Sequence, residues 1–207
     1  MHCHTSRSWI HQLPSGRNRQ FAAGEVICHP GQSDNAIFLI TRGRARICLS
    51  AEHKELTLGW LNPGSLYVTH TRAWVEALDD THLTLWPLGQ LVEMIQVAPE
   101  MAIAALREVG LMMDQATSLI EDLAFRSVES RLARYILLEA AKQPDNAIIP
   151  LDAPTELLAS LLGTSRQTLS TLLNRMIRTG VLARPARNQL RVLDHSKLEK
   201  LALVSAS

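Results

Sequence analysis

Two stretches of the chain carry side chains whose types and spacing could do chemistry. The first, LYVTHTRAWVEA over residues 66–77, sets His70 between two threonines where one run of alternating apolar residues stops and another begins. A histidine so placed is either an ordinary loop residue, hydrogen-bonded or exposed, or a side chain with something to hold. The second, TELLASLLGTSRQTLSTLLNRMIRTGVL over residues 155–182, groups side chains of the kinds that can read base edges. Arg166 can donate two hydrogen bonds to guanine O6 and N7, and Gln167 suits adenine N6 and N7. Thr168, Ser170, Thr171 and Arg175 suit phosphates or supporting contacts. No GxSxG, HExxH, P-loop or paired-carboxylate pattern gathers His70, Ser165 or the aspartates into a catalytic group, so an enzyme is not expected.

Helix-turn-helix grammar positions the second stretch. A short apolar helix from Thr155 to Leu162 ends at Gly163, which can take the left-handed conformation of a tight interhelical turn. Ser165 is placed to cap the next helix, whose buried stripe is Leu169, Leu172, Leu173, Met176 and Ile177 and which stops at Gly180. LARPARNQLRVLD then reads as a two-stranded wing, with Arg184, Arg187 and Arg191 available to phosphates. The alternative is a plain helical hairpin with a solvated polar face.

Upstream, Phe21 to about Leu88 reads as short strands: GEVICHPG, NAIFLITRGRARICLS, ELTLGWLNPGSLYV, AWVEAL and HLTLWPL. Gly24, Pro30-Gly31, Gly43 and Pro63-Gly64 fall where turns belong, and strands at this spacing predict a sandwich or β-roll. From Pro99 to about Phe125 a helix is predicted. Its Leu106, Val109, Met113, Ala116, Ile120 and Leu123 recur at steps of 3, 4, 3, 4 and 3, a heptad seam that favours a second helix over packing on its own sheet. Gly110 lies inside this helix, where it costs about 1 kcal/mol relative to alanine, and such a glycine often marks close approach of a backbone or ligand. VESRLARYILLEAAKQ is a further amphipathic helix, and DNAIIPLDAP is read as a connection.

The net charge of +1 hides an asymmetry: residues 1–125 hold 9 basic and 13 acidic side chains, whereas 126–207 hold 12 and 7. A basic C-terminal module is compatible with nucleic acid. Cys3, Cys28 and Cys48 form no CxxC pair, which argues against a disulfide framework and against cysteine-ligated zinc or iron-sulfur sites. No apolar run approaches the roughly 20 residues of a membrane span, and MHCHTSRSW has no hydrophobic signal core, so no membrane association and a cytoplasmic location are expected.

In the order β-roll, long helix, winged helix-turn-helix, the chain resembles the Crp/Fnr family of bacterial transcription regulators from about Phe21 to Leu193. FLITRGRARI, IEDLAFRSVESRLARYIL and LLGTSRQTLSTLLNRMIRTGVL carry the resemblance. It implies an α+β protein: a cyclic-nucleotide-binding-like β-roll domain over residues 1–98 with residues 1–20 as an N-terminal arm, a dimerisation helix over 99–125 and a DNA-binding domain over 126–207. It also implies a homodimer on a palindromic operator in double-stranded DNA, an effector that moves the reading heads through the long helices, and RNA polymerase as a further partner.

The effector is narrowed by departures from the family's patterns. Between Gly64 and Ala73 there is no glutamate, and THTRA replaces the arginine-serine-alanine run that holds a cyclic phosphate. Cys3 alone cannot supply the cysteine cluster of the iron-sulfur members. LYVTHTRAWVEALDD instead resembles the CO-sensing haem members, which carry a histidine here as an iron ligand. That resemblance implies haem b on His70, with Val68, Val109, Gly110 and Met113 around it and CO or another diatomic gas as the signal. In those members the N-terminal group is the other axial ligand, and a cysteine two residues before the histidine binds the oxidised iron. Here Val68 holds the cysteine's place, and no proline follows Met1; the start of the chain offers Met1, His2, Cys3 and His4. The alternatives are a regulator of the same family answering another small molecule or a redox signal without haem, and a constitutive DNA-binding protein.

Overall fold

A computed structural model describes residues 8–32, 35–51, 54–143, 148–151 and 154–203. The chain forms two compact units, one of residues 1–50 and 58–116, the other of residues 51–57 and 117–207.

Two four-stranded antiparallel sheets take their residues mainly from the first unit. One has the order β1 (Arg17–Phe21), β8 (Thr81–Pro87), β3 (Ala36–Arg42), β6 (Leu66–Val68). The other has the order β2 (Val26–Cys28), β7 (Trp74–Ala77), β4 (Ala45–Ala51), β5 (Lys54–Leu61). Alternate residues of these strands face one another: Cys28, Phe38, Ile40, Ala45, Ile47 and Val75 are among those forming a buried cluster. Ile37 and Leu39, on the other face of β3, join Trp9, Trp86, Met94 and Met101 in a second cluster. Period-two alternation with both faces covered explains why AIFLITR is almost continuously apolar. The four turn glycines read from the sequence, Gly24, Gly31, Gly43 and Gly64, all have positive φ. Arg46 and Glu76 are register partners across β4 and β7 and form an ion pair at 2.7 Å.

Residues 8–20 differ from the expected N-terminal arm. A 3-10 helix spans Ser8–Gln12, Trp9 is buried, Trp86 Nε1 donates to the Pro14 carbonyl at 2.9 Å, and β1 pairs with β8 over its whole length. The RNRQF strand escapes notice in the sequence because four of its five side chains are exposed and show no alternation. Met1, His2, Cys3 and His4 lie outside the described residues.

After α1 (Leu91–Val97), α2 runs from Pro99 to Phe125. Of its 27 residues only Met101 is fully buried. Ala104, Ala105 and Met112 pack against the two clusters of the roll, whereas Ile103, Leu106, Val109, Leu111, Met113 and Ile120 are exposed.

The second unit is a helical core closed by a small sheet. α3 (Val128–Ala140) starts where the Ser127 side chain accepts from the Ser130 amide, and Asp122 near the end of α2 is ion-paired with Arg126 at 2.8 Å and Arg134 at 3.2 Å. α4 (Thr155–Leu161) and α5 (Arg166–Arg178) follow. The sheet has the order β10 (Leu182–Ala183), β11 (Gln189–Val192), β9 (Ile149–Pro150). β9 lies in the segment read from sequence as a connection; it pairs with β11 through Ile149 and Leu190, both buried. α6 (His195–Ala202) is capped by Asp194 and packs on α3. Thr57 and Ser160, both buried, have their hydroxyls 3.0 Å apart, which ties residues 51–57 into this unit.

Candidate nucleic-acid interface and sensor site

The reading head is fixed by local chemistry at three points. Ser165 sits in extended conformation with its side chain accepting from the Thr168 amide at 3.1 Å, the N-cap geometry that satisfies one of the helix's unpaired donors. Leu169, Leu173 and Met176 are buried and Leu172 and Ile177 half-buried, so α5 presents the face opposite them to solvent. At its other end the amides of Gly180 and Val181 return to the carbonyls of Ile177 and Met176, a Schellman-type stop that needs the positive φ of Gly180.

Gly163 is required chiefly by its backbone conformation. Its φ is +61°, and a Cβ there would lie 2.7 Å from Cδ2 of Leu123. Leu123, the last residue of the expected heptad seam, thus touches Gly163 of its own chain with its tip and is still 38% exposed. The Leu106 to Ile120 part of the seam stays open: Leu106 is 74% exposed, Met113 66% and Ile120 65%, with Ala116 half-buried.

Arg166, Gln167, Thr168, Thr171 and Arg175 are exposed on α5, and Ser170 is half-buried. Several are already engaged. Arg166 Nη1 lies 2.8 Å from Glu156 Oε1 on α4, and Arg175 is ion-paired with Glu129 of α3. The Thr171 hydroxyl donates back to the Gln167 carbonyl at 3.0 Å, and the Thr168 hydroxyl is 2.9 Å from that of Ser165. In the wing the Arg184 guanidinium donates to the Arg187 carbonyl and closes the turn between β10 and β11. Arg184, Arg187 and Arg191 are all exposed on the wing. A cleft of about 500 Å³ runs between α5 and the wing, lined among others by Glu156, Arg166, Ser170, Asn174, Arg187 and Asn188. Glu156 and Glu129 were not singled out from sequence, because an ion pair between two helices leaves no local spacing signal.

In the first unit His70 lies on the bend between β6 and β7 and is exposed; among the described residues no hydrogen bond or ion pair holds its ring. Its neighbours are built in: the Thr69 hydroxyl accepts from the Ala36 amide at 3.0 Å, and the Thr71 hydroxyl meets Tyr67 Oη at 3.1 Å. Val68 is half-buried against the Trp9, Met94 and Met101 cluster, so its side chain serves packing in this chain. Val109, Gly110 and Met113 are exposed on α2, and, its own helical turn aside, no described atom comes within 4 Å of where a Cβ on Gly110 would stand. Among the described residues nothing requires that costly glycine. Cys28 is a free, buried thiol that burial pushes up to about 11, so it stays protonated at neutral pH and is a poor redox sensor.

A haem site needs one or two axial donors and an apolar wall. Among the described residues the His70 ring has no partner, and Val109, Gly110 and Met113 are exposed on α2, so one nitrogen donor and apolar side chains of the kinds required are available. Among the described residues no group of three or more metal-ligating side chains is present.

Residues 130–201 match the Crp-like helix-turn-helix domain, and residues 18–97 match the cyclic nucleotide-binding domain. Those two domains, in that order and spanning most of the sequence, place the chain in the Crp/Fnr family of DNA-binding transcription regulators, proteins with an effector-binding domain and not enzymes. Among curated proteins it is 24% identical over 185 residues to the cAMP-activated global transcriptional regulator CRP of Salmonella typhimurium, covering 83% of this chain and 81% of that protein. Among solved structures it is similar to a CooA variant from Carboxydothermus hydrogenoformans, with a TM-score of 0.78 and 29% identity over 90% of this chain and 88% of that one. It is also similar to the reduced CO-sensing protein from R. rubrum, with a TM-score of 0.52 and 28% identity over 90% of each chain. Among the described residues no helix is long and apolar enough to cross a membrane.

Proposed function

We propose that the chain is a homodimeric, haem-dependent gas sensor that switches operator binding in response to CO. The observation that carries the haem reading is His70, an exposed imidazole with no protein partner among the described residues, in a stretch that resembles the iron-ligating bend of CO-sensing regulators. Similarity to two such proteins supports it. Haem, if bound, would supply a ferrous iron able to bind CO.

The chain's own residues do the rest. His70 would hold the iron, and Val109, Gly110 and Met113 would offer apolar surface with room at the glycine. Met1, His2, Cys3 or His4 would offer the second donor. The exposed stripe of Leu106, Val109, Met113 and Ile120 pairs with the same stripe of a second copy, burying side chains worth about 1.5–3 kcal/mol each. Residues 1–98 then act as the sensory part, 99–125 as the dimerisation helix and 126–207 as the reading part, from which Arg166 and Gln167 reach base edges and Ser170, Arg187 and Arg191 lie near the backbone. A homodimer implies a palindromic site in double-stranded DNA.

A second reading is favoured by the likeness to the cAMP-activated regulator and by the match to the cyclic nucleotide-binding domain. Against it stands the bend itself, where Thr69, His70 and Thr71 replace a phosphate cradle. The absorption spectrum of haem-reconstituted, reduced protein separates the two. A Soret band that shifts on adding CO supports the sensor; no band, or one that CO leaves unchanged, while cAMP binds stoichiometrically in a calorimetric titration, supports the cyclic nucleotide.

A further inference from the structure

We infer that Glu156 is a specificity-determining residue of the reading head: its carboxylate holds the Arg166 guanidinium for a guanine edge and keeps it off backbone phosphates. The inference deepens the DNA-reading assignment of this surface and rests on it. Glu156 stands in the first turn of α4 and Arg166 is the first residue of α5, and the intervening turn is pinned by Gly163 and the Ser165 cap. The two charges are therefore presented by fixed backbone, and Arg166 Nη1 meets Glu156 Oε1 at 2.8 Å.

A guanidinium is a planar fork with five donors. Using Nη1 on the carboxylate leaves the Nε and Nη2 edge free, the pair of parallel donors that matches guanine O6 and N7. A long, flexible side chain held at one corner loses less freedom when its other edge engages a base. The carboxylate also discriminates by charge: a base edge offers neutral acceptors, whereas a phosphate brought to the same guanidinium meets Glu156 as a like charge. Penalising the wrong contact in this way raises selectivity while lowering overall affinity.

The surroundings agree with a reading role. Glu156 and Arg166 line the same cleft as Ser170 and Asn174, which follow Arg166 at successive steps of four on α5, and as Arg187 of the wing. Both partners are well exposed, with 61% and 69% of their side chains accessible, so the pair adds little to the stability of the fold. Its effect belongs to DNA binding.

The test compares full-length wild type, Glu156→Gln, Arg166→Ala and the double variant, each with and without haem and CO, in selection from a random-sequence duplex library and in titration of one random duplex against salt. Glu156→Gln is expected to melt with the wild type and bind the random duplex severalfold tighter. It is expected to lose about tenfold of the preference at the one base pair where Arg166→Ala also loses it. The double variant should lose no more than Arg166→Ala alone. A Glu156→Gln protein that keeps full preference at that base pair, or loses it at another, overturns the inference while leaving the DNA-reading assignment intact. A wild type that enriches no sequence under any condition overturns that assignment, and the inference with it.

Discussion

The reading head and the exposed face of α2 use their polar and apolar groups in opposite ways. In the head, the chain supplies its own partners: Ser165 caps α5, Glu156 and Glu129 meet Arg166 and Arg175, Arg184 closes the wing, and Leu123 fills the space that Gly163 leaves. On α2 and on the bend after β6 the chain leaves groups open: an apolar stripe from Leu106 to Ile120, a helical glycine with free space, and an imidazole held by no described residue. A part that answers its own requirements can be rigid before DNA arrives. A part that does not is where a second chain and a ligand can change the energy of the molecule.

That contrast can be broken most decisively at the stripe. Leu106→Glu with Ile120→Glu should weaken self-association by about 5 kcal/mol or more, since each exposed side chain is expected to bury on a partner and a charge would be buried in its place. Sedimentation at micromolar concentration should then show monomers, with the helical signal intact; unchanged dimers would mean that the stripe is not the seam. Next in size is Gly163→Ala in the head. Placing a Cβ on a left-handed residue should cost about 1–2 kcal/mol in chemical denaturation, independent of protein concentration. A smaller loss, about 1 kcal/mol, is expected for Ser165→Ala, from the cap alone. If these two changes instead acted only through dimerisation, the head would not be the self-sufficient part.

How much of this could be read in the sequence follows the same division. The head was legible because its determinants are local: a cap three residues before the amide it serves, a glycine at each turn, and a stripe at helical spacing. Pro99 to Phe125 was legible for the same reason. β1 was missed because RNRQF has no alternation, and β9 because a two-residue strand is defined by its partner β11 and not by its own residues. The pairing of Glu156 with Arg166, and the turn of Leu123 toward Gly163, depend on how helices cross and leave no periodic mark. His70 was conspicuous by its place between strands, yet what it binds lies outside the spacing of any nearby residue. Val68 shows the limit of matching by position alone, since its side chain packs with Trp9 and Met101.

The account rests on a coupling between the bend and the reading head, and one measurement addresses it directly: affinity of haem-loaded, reduced protein for a duplex recovered by selection, with and without CO, for wild type and His70→Leu. Coupling between two sites of this kind is commonly 5- to 150-fold, so the wild type should bind at least about fivefold tighter with CO, and His70→Leu should show no difference. Equal affinity of the wild type in both conditions, or a CO response that survives His70→Leu unchanged, would contradict it.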